Sequence, residues 1–133
     1  MTQKIAHITL LVNDYDEAID FYTKKLKFNL IEDTNLSDTK RWVIVAPAAK
    51  NSSGLLLAKA ETEEQKRSVG NQSGGRVFMF LYTNNFDADL LNLKANNIKI
   101  IREAKTEPYG KVLVFSDLYG NMWDLIEPTN INE

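Results

Sequence analysis

Apolar and polar positions follow two alternating regimes along this chain. The run "IAHITLLV" (Ile5 to Val12) is β-branched and apolar with small or polar residues interspersed, which predicts a strand. Asp14 then stands as a helix N-cap with Glu17 three residues later. Tyr15, Ile19, Tyr22 and Leu26 recur at the spacing of one apolar helical stripe, so the pattern predicts a helix over 14–27. Two strand-like runs, "FNLIEDT" and "RWVIVAP", are separated by the polar stretch "NLSDTK" and read as a hairpin. A third, "GLLLAKA", follows the loop "AKNSS", and the opening part of the chain reads β-α-β-β-β.

The polar segment "ETEEQKRSVGNQSGG" reads as a connector, although Thr62 with Gln65 can cap one or two helical turns. After it the pattern restarts. "RVFMFLYT" is a strand, a helix is predicted over 85–97 with Phe86, Leu90 and Leu93 on one face, and "IKIIRE", "KVLVFSD" and "NMWDLIE" are three more strands. "VNDYDEAIDFY" lies on "TNNFDADLLNL" at a constant shift of 71 residues, so that Tyr15 falls on Phe86, Ile19 on Leu90 and Tyr22 on Leu93. Such repetition implies a duplicated unit whose helix covers one sheet face and leaves the other open. The expected fold is α+β, with βαβββ modules at 1–60 and 74–130 and a linker at 61–73.

Composition narrows the function classes. With 133 residues, 44% hydrophobic and 26% charged, the chain suits one globular domain. A net charge of −2 gives no electrostatic reason to expect nucleic acid or a membrane surface as partner. The absence of cysteine removes disulfides, thiolate ligands and thiol nucleophiles. Met1 runs straight into the first strand without a signal-peptide pattern, and no apolar run is long enough to span a bilayer, so the expectation is a cytoplasmic protein. "VGNQSGG" lacks phosphate-loop spacing, and no Ser–His–Asp arrangement is suggested.

The paired βαβββ pattern, the opening "HITLLVNDYDEAIDFYTKKLKFNLI" and the closing "VFSDLYGNMWDLIEP" resemble the glyoxalase / bleomycin-resistance / dioxygenase group, the vicinal oxygen chelate superfamily. The closing stretch looks like that family's strand–Asp-x-x-Gly–strand hairpin. The resemblance implies curved mixed sheets forming a cleft, and in small relatives a homodimer whose clefts take one module from each subunit. His7 and Asp124 would then meet across the dimer interface.

It also implies four metal-ligand positions, one on each of four strands. These fall on His7, on Leu56, on Phe78 and on Asp124, where relatives usually carry Glu. Leu and Phe donate nothing, and a catalytic divalent metal needs at least three protein ligands. His7 is therefore either a cleft histidine hydrogen-bonded to Asp124 or a backbone carbonyl, or a metal ligand or general base. Asp124, between Trp123 and Leu125, needs a partner and is either half of an ion pair or a site carboxylate.

Strand alternation places Arg76, Phe78, Phe80 and Tyr82 on one face, so Arg76 is the candidate to bind an acidic ligand group, to neutralise Asp124, or to reach out to solvent. Trp42 and Tyr109 are either stacking residues at the mouth of the cleft or ordinary packing. Trp123 should point the opposite way from Asp124, under a helix. Two functions follow from the resemblance. One is a binding protein with no tightly held cofactor, taking a small, partly aromatic or acidic molecule. The other is a metal-dependent lyase (lactoylglutathione-lyase-like) or dioxygenase using His7 and Asp124.

Overall fold

The computed structural model describes residues 1–129, so the last residue of the expected second module, 130, lies outside them. The chain divides into two compact units, Met1–Val69 and the part from Gly70 onward. The first unit contains β1 (His7–Val12), α1 (Tyr15–Asp20), β2 (Asn29–Asn35), β3 (Arg41–Ala46), β4 (Gly54–Lys59) and α2 (Glu63–Ser68). The second contains β5 (Val77–Tyr82), α3 (Phe86–Ala95), β6 (Ile100–Glu107), β7 (Gly110–Ser116) and β8 (Met122–Pro128).

Each unit forms one four-stranded mixed sheet, ordered β1-β4-β3-β2 in the first and β5-β8-β7-β6 in the second. The first and last strands of each unit run parallel and the remaining pairs are antiparallel. The duplicated α+β architecture expected from the sequence is therefore present, as two sheets wired identically.

In the first unit Leu10 and Val12 of β1, Val43 and Val45 of β3, and Leu55 and Leu57 of β4 form one buried face. Helix α1 packs on β3 and β4, burying Tyr15 and Ala18. Each fully buried aliphatic side chain in such a layer contributes about 1.5–3 kcal/mol. Asp14 caps the helix, its Oδ2 accepting from the Glu17 N–H at 2.9 Å. In the second unit Asn85 takes the same role, its Oδ1 accepting from Ala88 N–H at 3.3 Å. Phe86 and Leu93 of α3 are buried with Leu113, Phe115, Trp123 and Leu125 of the sheet.

The two helices differ by one residue, and the difference has a visible cause. From Phe21 to Lys25 the first helix widens into a π-turn, in which Leu26 N–H donates to Phe21 O at 2.9 Å. Thr23 Oγ1 occupies the Ile19 carbonyl at 2.7 Å, a back-bond that disturbs the regular ladder. Both helices stop at a left-handed residue, Lys27 and Asn97, followed by a buried apolar one, Phe28 and Ile98. Those stops are 70 residues apart, whereas Tyr22 and Leu93 are 71 apart, so the π-turn absorbs the extra residue. It also rotates the stripe: Phe21 is buried, and Leu26 is only half-buried.

The connector contains more structure than its composition suggests. Thr62 and Gln65 form a reciprocal capping box at the start of α2. Gly70, at φ +78°, lies against the turn before β8, where a Cβ would come 1.9 Å from the Tyr119 carbonyl oxygen.

Candidate functional site

Alternation along β1 turns Leu10 and Val12 into the core and leaves His7 and Thr9 exposed on the opposite, open face. His7 pairs across the parallel ladder with Gly54 of β4. A side chain at Gly54 is excluded by packing, since a Cβ there would meet Ile44 Cγ2 at 2.8 Å and the Val45 carbonyl at 3.3 Å. On the same face the Trp42 ring meets the His7 imidazole edge-on, with centroids 6.2 Å apart. Leu56 pairs with Thr9 and Ile44, one step of the face further along from His7. Thus β1, β3 and β4 bring His7 and Trp42 together in an apolar setting.

The open face of the second sheet is organised in two rows. Phe80 pairs with Asp124, Asp124 with Val114, and Val114 with Arg102. In the next row Tyr82 pairs with Ile126, Ile126 with Val112, and Val112 with Lys105. Phe80 and Tyr82 are 61% and 70% exposed, large apolar surface left on a face that has no helix of its own. Trp123, one residue from Asp124, faces the core, stacked on Phe115 at 5.9 Å.

Asp124 is the unusual group of this face. Its Oδ1 is buried and has no hydrogen-bond partner. Burial pushes its carboxyl above the usual carboxylate range, and the positive charge of Arg102 offsets this only in part. The expected neighbour, Arg76, is placed differently. It precedes β5, is exposed, and belongs to a turn in which Ser73 Oγ donates to its carbonyl.

An extra residue between Val77 and Met79 breaks the strict alternation that grouped 76, 78, 80 and 82. Phe78 consequently meets the core ring of Trp123 edge-on at 6.0 Å, while Phe80 and Tyr82 keep the open face. Tyr109 is 60% exposed in the turn between β6 and β7, where its carbonyl accepts from Thr129 N–H at 2.9 Å.

A second carboxylate, Asp117, is structural. Its Oδ1 accepts from the N–H groups of Tyr119, Gly120 and Asn121 at 2.9, 3.0 and 2.9 Å. Its Oδ2 accepts from Asn121 Nδ2 at 2.9 Å. The Asp-x-x-Gly motif is therefore a turn whose buried carboxylate replaces missing backbone acceptors.

On its own sheet, neither His7 nor Asp124 has a second imidazole or carboxylate paired beside it among the described residues. The side chains around His7 on its sheet are those of Trp42, Ile44 and Leu56, and those flanking Asp124 are Phe80 and Val114. Among the described residues no three His, Asp or Glu side chains gather where they could hold one ion. The unpartnered Asp124 oxygen is a free donor on the second sheet.

Comparison with known proteins now adds to this geometry. A protein of Shewanella frigidimarina (strain NCIMB 400), described as uncharacterized, is 54% identical over 128 residues, covering 96% of this chain and 95% of that one. The crystal structure of UcmS2 matches with a TM-score of 0.82 at 27% identity, over 96% of this chain and 99% of that one. The structure of TnmS3, an antibiotic binding protein from Streptomyces sp. CB03234, matches at 0.77 with 26% identity, over 96% and 98% of the two chains. A sequence model of the Glyoxalase/Bleomycin resistance protein/Dioxygenase superfamily matches residues 4–125. Fold, duplication and family model agree, and the chain belongs to that superfamily.

Proposed function

We propose that this protein binds a small, partly aromatic molecule on the open faces of its sheets, without a tightly held metal. The observation that carries the reading is the second sheet's face, where two exposed aromatic rings, Phe80 and Tyr82, border a single half-buried carboxylate. Such a surface recognises flat apolar groups by stacking and fixes their orientation through a few polar contacts. His7 and Trp42 form a smaller aromatic pair of the same kind on the first sheet. The likeness to an antibiotic binding protein at 26% identity supports a binding role. We further propose that the protein works as a homodimer in the cytoplasm. No helix among the described residues is long and apolar enough to cross a membrane.

A metal-dependent lyase or dioxygenase using His7 and Asp124 is the competing reading, and the unpartnered Asp124 oxygen is the observation in its favour. Elemental analysis of dialysed protein, paired with calorimetric titration of planar aromatic compounds, separates the two. Ligand binding by metal-free protein supports the proposal. Stoichiometric zinc, nickel or iron that survives dialysis and disappears in His7→Ala overturns it.

A further inference from the structure

Strand β6 carries two irregularities in its pairing with β7, one between Ile100 and Arg102 and one between Arg102 and Lys105. Their effect on side-chain direction can be followed residue by residue. Ile100 pairs with Phe115, a core residue. With regular pairing the next residue, Ile101, would lie opposite Val114, and Arg102 would turn back toward the core beside Leu113. The extra residue at 101 instead puts Arg102 opposite Val114, on the open face. The second irregularity keeps Lys105 on that face, opposite Val112. Each row of the face consequently begins with an aromatic residue on β5 and ends with a cation on β6. The strands at its two ends lie about 14 Å apart at three strand spacings.

The two cations are not equivalent. Lys105 Nζ is engaged by Glu107 at 2.8 Å. Arg102 is exposed and forms no ion pair among the described residues. Asp124, the one carboxylate in its row, sits two strands away across Val114, about 10 Å between backbones.

We propose that Arg102 is the anion-binding and selectivity-determining residue of this face, and that the ligand is an elongated aromatic molecule with a carboxylate at one end. Its ring system lies against the exposed Phe80 and Tyr82 rings, and its acidic group reaches the Arg102 fork. The inference rests on the ligand-binding reading above and adds the polarity of the ligand and the residue that reads it. Bulges also protect free sheet edges from pairing, a role indifferent to which charged side chain is displayed. The experiment below distinguishes that role from recognition.

The test compares biphenyl-4-carboxylate with biphenyl-4-carboxamide, followed by amide chemical shifts of the full chain. The wild type is expected to prefer the carboxylate by about tenfold or more, as for a charge-assisted contact. Arg102→Gln should remove the preference while leaving amide binding within about twofold. Phe80→Ala should weaken both probes, and Arg76→Gln should change neither. A preference that survives Arg102→Gln, or is lost in Arg76→Gln instead, overturns the assignment to Arg102. Equal binding of both probes by the wild type overturns it too, while leaving the ligand-binding reading intact. If neither probe moves any resonance of the β5–β8 strands, the assignment falls together with the reading on which it rests.

Discussion

Asp124 stands directly across the parallel β5–β8 ladder from Phe80, and its buried Oδ1 has no hydrogen-bond partner. A carboxylate there loses hydration without gaining a compensating contact, which is why its proton is held more tightly than usual. A raised folded-state value means that folding favours the protonated acid. The penalty is absent below the ordinary carboxylate pKa and grows as pH rises through the raised one. Asp124→Asn should therefore stabilise the fold near pH 7 and have little effect near pH 3. Paired thermal melts at the two pH values check this, and an Asn variant less stable at neutral pH would contradict it.

Arg41 and Asp33 behave in the opposite sense. Arg41 Nε and Nη2 donate to the two oxygens of Asp33 at 3.1 and 2.7 Å, and Nη1 donates to Asp16 at 2.9 Å. The guanidinium also lies over the Tyr15 ring, 5.2 Å from its centroid, so one side chain ties β2, β3 and α1 together. The fork holds the Asp33 carboxyl below its ordinary range. That stabilisation is present above the unfolded carboxylate pKa and is lost as pH falls through the lowered folded value. Arg41→Met should cost about 1–2 kcal/mol near neutral pH, and Arg41→Lys should recover only part of it. Denaturant titration checks both, and the gap between wild type and Arg41→Met should close in strong acid.

Removing the Asp117 side chain strips acceptors from three backbone N–H groups at once. Asp117→Ala should destabilise the protein by about 3 kcal/mol, while Asp117→Asn, which keeps one acceptor oxygen, should cost less. Urea midpoints at constant slope are the measurement. Equal losses in the two variants would show that charge matters there more than the acceptor.

Edge strand β2 exposes Leu30 and Ile31 at 45% and 58%, and the strand has a partner on only one side in its sheet. Covering such edges is the physical reason to expect association of two chains. Sedimentation at micromolar concentration should give twice the mass of a single chain. A persistent single-chain species would count against the homodimer.

Much of the fold was legible because hydrophobic periodicity and caps report directly on local structure. Asp14 marks the start of the first helix, and the alternation Trp123–Asp124–Leu125 assigns the inward and outward faces of β8. What stayed hidden were one-residue insertions. The π-turn at Phe21–Lys25 moves Leu26 out of the buried stripe, although nothing in "FYTKKL" announces it except a threonine able to bond back. The extra residue at Phe78 turns its ring toward Trp123, and the one at Ile101 brings Arg102 to the face where alternation had placed Arg76. A bulge is decided by pairing with a neighbouring strand, information that a local pattern does not contain.

The order β1-β4-β3-β2 also sets a schedule. The first strand of the unit hydrogen-bonds to the last and not to its neighbour in sequence, so β1 has no partner until Lys59 has been made. As the chain leaves a ribosome, the hairpin of β2 and β3 can close early, whereas β1 and its helix must wait for β4 to arrive beside them. Once it does, the first sheet is complete before any strand of the second exists. The second half then repeats the wait, from Val77 to Pro128. The topology thus divides folding into two separate closures, one made when β4 pairs with β1 and the other when β8 pairs with β5.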